Sequence, residues 1–191
     1  SAQELFAREQ ETLDEMTELA ESSRALPDAR VRKLIDWIRE HMCPDLPPIG
    51  KSVESEPSPR WNDMRLLIFT EYEDTKRYLV EQLNAAIAST HRANDRVQVF
   101  SGSTPDAKRK EIKRAFNADP AKHPLRILVA TEAAREGLNL QSYCYNLFHF
   151  DVPWNPSRLE QRNGRIDRML QPEPEVFCHY FFCITHCFLL N

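Results

Sequence analysis

Glycine is scarce in this chain: Gly50, Gly102, Gly137 and Gly164 are the only four in 191 residues. A GxGxxG dinucleotide fingerprint and a GxxxxGK(S/T) phosphate loop need glycines at spacings these four do not provide. No acidic box follows that could hold magnesium, so a self-sufficient nucleotide hydrolase is excluded on the usual patterns. The five cysteines (Cys43, Cys144, Cys178, Cys183, Cys187) are odd in number and form no CxxC pair. Neither a disulfide framework nor a structural zinc site is expected, and a reducing, cytoplasmic setting is. The six histidines make no HExxH or similar ligand spacing, and His149 reads as a core or sheet-edge residue. No run is long and apolar enough to span a bilayer, so no membrane partner is expected. With a net charge of -4, nucleic-acid contact would have to come from local basic patches.

What is present is ordinary globular material, 41% hydrophobic and 28% charged. Residues 1–25 are Glu-rich and read as a helix with a thin apolar face. Val31, Leu34, Ile35, Ile38 and Met42 recur at helical spacing and predict an amphipathic helix over 28–42. Five prolines and Gly50 then mark 44–59 as a loop or linker. Beyond it the texture changes. RLLIFT (65–70), RVQVF (96–100), RILVAT (126–131), CYNLFHFD (144–151) and VFCHYFF (176–182) read as strands. Helical stretches alternate with them over 73–88 and up to Phe116, the latter opening with Thr104 as cap and Pro105 in its first turn. Strands alternating with helices predict a mainly parallel sheet covered on both faces.

The most distinctive stretch is QRNGRIDR (161–168), which follows DVPWNPS, where Asn155 can cap a helix and Pro156 can start it. On one continuous helix, Gln161, Arg165 and Arg168 would fall within an arc of roughly 60°, and Arg158 and Arg162 would widen it to about 120°. Four guanidiniums would then share a face with no anion of its own, suited to forking onto phosphate oxygens. Gly164 would permit close approach of another backbone. The same face reads equally as a solvated basic surface. The cluster Lys108, Arg109, Lys110, Lys113 and Arg114 is open to the same two readings.

In open parallel sheets ligands bind beyond the carboxyl ends of the strands. There the chain places Thr70, Glu71 and Tyr72, then Ser101, Gly102, Ser103 and Thr104, then Thr131 with 132–139, and finally 151–155. Such residues suit phosphate or ribose contacts, and they equally suit turns and caps.

RLLIFTEYEDT, the FSGST turn, ILVATEAAREGLNLQ and LEQRNGRIDR together resemble the second RecA-like lobe of superfamily-two helicases over about residues 62–182. Their form is most similar to the Swi/Snf-like branch, including bacterial translocases acting on RNA polymerase. FHFDVPWNPSRLEQRNGRIDR resembles bacterial helicase-related proteins of phage-defence islands. The resemblance implies a RecA-like three-layer α/β sandwich preceded by an N-terminal helical segment. It divides the chain into 1–43 (helical), 44–61 (Pro-rich linker), 62–182 (helicase C-terminal lobe) and 183–191 (atypical tail).

It also implies an ATP site shared with an N-terminal lobe that supplies the phosphate loop and holds most of the Mg2+. Arg168 matches the arginine finger, Arg165 a γ-phosphate contact and Gln161 the polar residue that orders the interface. Glu136, Gly137 and Asn139 fall in the segment that approaches the ribose, although many relatives carry Asp at the position of Asn139. Thr131 matches a nucleic-acid phosphate contact, and Thr70 and Ser103 lie near positions that touch the tracked strand. Duplex DNA is the expected nucleic acid, with RNA polymerase or phage-defence components as further partners. The chain opens on Ser and lacks the phosphate loop, so it reads as a fragment, inactive in isolation. The competing reading is a docking module derived from such a lobe that no longer hydrolyses ATP. A free-standing phosphate-binding enzyme finds no nucleophile, base or metal constellation to support it.

Overall fold

A parallel strand buried on both faces is expected to be mostly apolar, and two strands here are so up to a closing threonine. Leu66–Thr70 (β1) and Ile127–Thr131 (β3) are buried at every position. They form the centre of the sheet in a computed structural model. It describes residues 27–51, 57–131, 139–167 and 171–181, together with 8, 10, 12–14, 16 and 17. Among the described residues the sheet has five strands. Val97–Phe100 (β2), Asn146–His149 (β4) and Phe177–Tyr180 (β5) complete it in the order β2-β3-β1-β4-β5. Every pairing is parallel. The RecA-like three-layer expectation is borne out.

Alternate residues of the strands feed two separate cores. Leu66, Ile68, Val97, Ile127, Val129 and Phe148 face one side, where they pack with Leu79, Leu83 and Ile87 of helix Glu73–Ile87 (α2). Helix Ala29–His41 (α1) lies on the same side and contributes Val31, Leu34, Ile35 and Ile38 to that core. Asp28 caps α1 through Val31 N–H at 2.9 Å, and the Asp28 N–H donates to the Tyr78 hydroxyl of α2 at 2.9 Å. The Pro-rich stretch returns the chain to the sheet under restraint. Trp61 is buried and donates from Nε1 to Thr90 Oγ1, and His91 N–H donates to Pro59 O.

The opposite core holds Leu67, Phe69, Phe100, Leu128, Ala130 and Leu147 beneath Ile112 and Phe116 of helix Asp106–Asn117 (α3). Ile166, just past helix Pro156–Asn163 (α4), joins this side. The cap of α3 differs from expectation by one residue. Pro105 occupies the N-cap position, because the Thr104 hydroxyl instead accepts from Ser101 N–H at 2.9 Å and closes the preceding turn. The described part of the segment 1–26 is helical, with Leu13 and Met16 exposed. The tail 183–191 lies outside the described residues.

The amino edge of the sheet carries three buried arginines, Arg65, Arg96 and Arg126, each one residue ahead of a strand. Their guanidiniums gather loop carbonyls. Arg126 takes those of Asn62, Pro120 and His123, Arg96 takes those of His91 and Pro124, and Arg65 takes that of Phe116. Burial, reinforced by the charge of Arg126, lowers both Arg65 and Arg96 to about 10. They remain cationic at neutral pH, so this edge is an electrostatic clasp on the loops.

Two predictions follow from this packing. Ile38 is fully buried between α1 and the sheet, so Ile38→Ala should cost about 2–5 kcal/mol of stability, measured by urea unfolding. A pH dependence comes from β5, where His179 stacks on Phe148 at 4.3 Å and sits 5.1 Å from the Trp37 ring. Burial, then the nearby His41, lowers its pKa below the ordinary 6.5. The unfolded chain therefore binds the extra proton first as pH falls. The stabilisation is complete above 6.5 and is lost as pH drops through 6.5 towards the lower folded value. Unfolding midpoints should decline from pH 7 to pH 5, and His179→Gln should flatten that decline.

Candidate functional site

Strand register brings the carboxyl ends together. Thr70 pairs with Thr131, Phe69 with His149, and Phe100 with Ala130. After β1 the chain leaves towards the α1/α2 face, and after β4 it leaves towards the α3 face. Neighbouring strands whose connections part in this way open a crevice at their carboxyl ends, where open α/β sheets receive ligands. Asp151 bridges that crevice. Its carboxylate accepts from Thr70 Oγ1 at 2.6 Å and from the Glu71 N–H at 2.9 Å.

The α4 helix starts as the sequence predicts, with Asn155 Oδ1 accepting from Ser157 N–H at 2.9 Å and Pro156 in the first turn. It ends earlier than the arc of four guanidiniums requires. The helix stops at Asn163, and Gly164 caps it through a bond to Glu160 O at 2.9 Å. Arg165 sits in the following turn, its N–H on Arg162 O at 3.0 Å. The continuous cationic face is thus a misreading, for two physical reasons. The helix breaks at its capping glycine, and two of the arginines have carboxylate partners of their own.

Arg158 Nη1 lies 3.0 Å from Glu71 Oε1. Arg162 is fully buried, with Nη1 donating to Asp151 O at 2.6 Å and Nη2 lying 3.3 Å from Asp151 Oδ1, its plane 5.5 Å from the Phe69 ring. A guanidinium withdrawn from water needs a counter-charge, and Asp151 provides it. The sequence held a signal for this: on the helical wheel Arg162 falls only about 40° from Ile166 and about 60° from Leu159. Among the described residues, a Cβ at Gly164 would meet Glu160 O at 3.4 Å and Gln161 O at 3.8 Å, both in the last turn of α4, and no backbone from another element.

The remaining candidates divide by exposure. Gln161 is exposed, its amide 3.4 Å from the Ser157 hydroxyl, and Arg165 is half-buried. Asn139 is exposed and held by Asn117 Nδ2 on its carbonyl at 2.7 Å, while Leu140 N–H donates to Arg165 O at 3.1 Å. The segments bearing Asn139 and Arg165 are thereby joined. Ser103 is exposed, on a loop braced by Arg109, which donates to Thr104 O at 2.8 Å and Gly102 O at 2.9 Å. Arg109 thus braces its own loop, and Lys108 pairs with Glu111 at 2.8 Å. Thr70 and Thr131 are buried. The Thr70 hydroxyl engages Asp151, whereas that of Thr131 has no partner among the described residues. His149 is fully buried, its Nε2 2.9 Å from Asn163 Oδ1 and its ring stacked on Tyr180, as a core residue should be. Arg168, Glu136 and Gly137 lie outside the described residues.

The model of the helicase conserved C-terminal domain matches residues 60–170, more than half of the chain. The chain belongs to that family. An uncharacterized ATP-dependent helicase of Bacillus subtilis, YqhH, is 39% identical over 110 residues, which cover 57% of this chain and 17% of that protein. The RNA polymerase-associated protein RapA of Klebsiella pneumoniae is 49% identical over 45 residues, covering 24% of this chain and 4% of its own length. The chain therefore spans a small part of the curated relatives it matches. Domain 2 of the DEAD-box helicase Mss116p, bound to an RNA duplex, superposes with a TM-score of 0.54 at 14% identity, covering 79% of this chain and 49% of that one. It shows the fold alone. The helicase-lobe resemblance carried by the sequence motifs is thus borne out at the level of family and fold. Among the described residues no helix is long and apolar enough to cross a membrane, and no cluster of three or more His, Cys, Asp or Glu is placed to hold a metal.

The Asp151 bridge makes a direct prediction. Thr70→Val keeps the shape but removes a hydrogen bond to an ionised acceptor, which should lower stability by about 1.5–3 kcal/mol in chemical denaturation.

Proposed function

We propose that this domain is the C-terminal motor lobe of an ATP-dependent nucleic-acid translocase or helicase. It would complete an ATP site shared with an N-terminal RecA-like lobe of the same protein. The observation that carries the reading is the junction of the Asn139 segment with Arg165 through Leu140 N–H, with Gln161 exposed beside it at the end of α4. Amide and guanidinium groups so placed suit ribose hydroxyls and phosphate oxygens.

In this reading Arg165 and the finger Arg168 stabilise negative charge on the transferring phosphoryl group, and Gln161 orders the interface. Glu136, Gly137 and Asn139 form the ribose side. ATP brings Mg2+, held mainly by the other lobe, which would neutralise phosphate charge. Nucleic acid, with duplex DNA favoured, would lie along the carboxyl edge. There Ser103 is exposed, Thr131 sits buried at the end of β3, and Thr70 orders the loop behind them. RNA polymerase is a partner to test, because RapA is named for that association. The cytoplasm is the expected location.

The decisive measurement is ATP turnover by the protein carrying both lobes, with and without duplex DNA or RNA, beside its Arg168→Ala variant. Nucleic-acid-stimulated turnover that falls about a thousandfold in the variant is the expected result. Wild-type turnover in the variant would overturn the finger assignment. DNA binding without turnover in either protein would mark a docking module instead.

A further inference from the structure

Arg162 and Asp151 have no part in the phosphate chemistry just described, yet among the described residues they form the most deeply buried ion pair at the carboxyl edge. Arg162 has no exposure at all, and Asp151 retains only 18% of its side-chain surface. A single carboxylate gathers the end of β1 through Thr70 and Glu71, and the interior of α4 through Arg162. Arg158 adds a second tie from α4 to the same loop through Glu71. The residues next along the chain are those assigned to nucleotide. Gln161 adjoins Arg162, and the Arg165 N–H donates to Arg162 O at 3.0 Å.

We propose that Asp151 is a positioning residue. By holding the buried Arg162, it fixes the last turn of α4 and so the orientation of Gln161 and Arg165. A buried guanidinium cannot exchange its partner for water, so its geometry is set by the carboxylate it faces. The turn that follows inherits that geometry through the Arg165-to-Arg162 bond and passes it to Leu140. Glu71 and Arg158 make the same connection at the surface, where solvent screening leaves it weaker. The catalytic consequence rests on the motor reading above, whereas the structural consequence does not.

The test uses Asp151→Asn, Arg162→Gln and the double variant in the protein carrying both lobes. Asn preserves the shape and an acceptor oxygen while removing the charge that faces Arg162. Turnover number should fall at least tenfold in each single variant, with KM for ATP and the nucleic-acid Kd within twofold of wild type. The double variant should be no slower than the slower single one. Hydrogen exchange supplies the arm that does not depend on activity. In Asp151→Asn, amides of 161–166 and of Leu140 should exchange at least tenfold faster, while those of β1 and β3 stay protected. Wild-type turnover in Asp151→Asn, losses that multiply in the double variant, or exchange that rises equally in β1 and β3 would each overturn the proposal. If the wild-type protein fails to hydrolyse ATP, the motor reading falls, and the exchange pattern alone still decides the positioning role.

Discussion

A parallel sheet whose central strands are apolar on both faces is unstable unless both faces are covered, and most of this structure is a response to that constraint. One face is closed by α3 and the chain beyond α4. The other is closed jointly by α2 and α1. That α1 is part of the covering layer matters, because the helicase family match begins only at residue 60. Val31, Leu34, Ile35 and Ile38 are as deeply buried as the strand residues they meet. The folding unit is therefore larger than the stretch that carries the family motifs.

The two ends of the sheet solve different electrostatic problems with the same side chain. At the amino edge, Arg65, Arg96 and Arg126 are surrounded mainly by backbone carbonyls, which bind a cation without cancelling its charge. Burial then lowers the guanidinium pKa of Arg65 and Arg96, and the clasp holds the loops that lead into the strands. At the carboxyl edge, Arg162 is balanced by a formal carboxylate instead. Beside that neutral pair, Gln161 is exposed and Arg165 half-buried.

The fold was largely legible in the sequence, because strand and helix periodicities are local. LLIFT and ILVAT need no partner to be read as buried strands, and Asn155 caps its helix as its position implies. The site was less legible. Gly164 reads either as a helix residue that admits a neighbour or as a cap, and the structure decides for the cap because the next amide, that of Arg165, turns to Arg162 O. Arg158 and Arg162 look alike in a motif, yet one is exposed and the other buried, a difference set by Asp151 in the loop before α4 and by Phe69 of β1. Tertiary pairing of this kind leaves little local trace. Its faint signature was the position of Arg162 beside Ile166 and Leu159 on the helical wheel.

These distinctions bear on how a half-site should be built. On the proposed motor reading, a lobe that meets phosphate only when a second lobe closes on it must present arginines there and still keep its own fold. Free guanidiniums crowded on one helix would repel each other and disfavour the helix that presents them. The chain avoids this by neutralising Arg158 and Arg162 internally and ending α4 before Arg165. Arg165 accordingly follows α4 on a turn rather than on the helix face. That turn is anchored at two points, Arg162 O on one side and Leu140 N–H on the other. Preorganisation of this sort lowers the cost of aligning donors when charge develops, and here it follows from one buried ion pair.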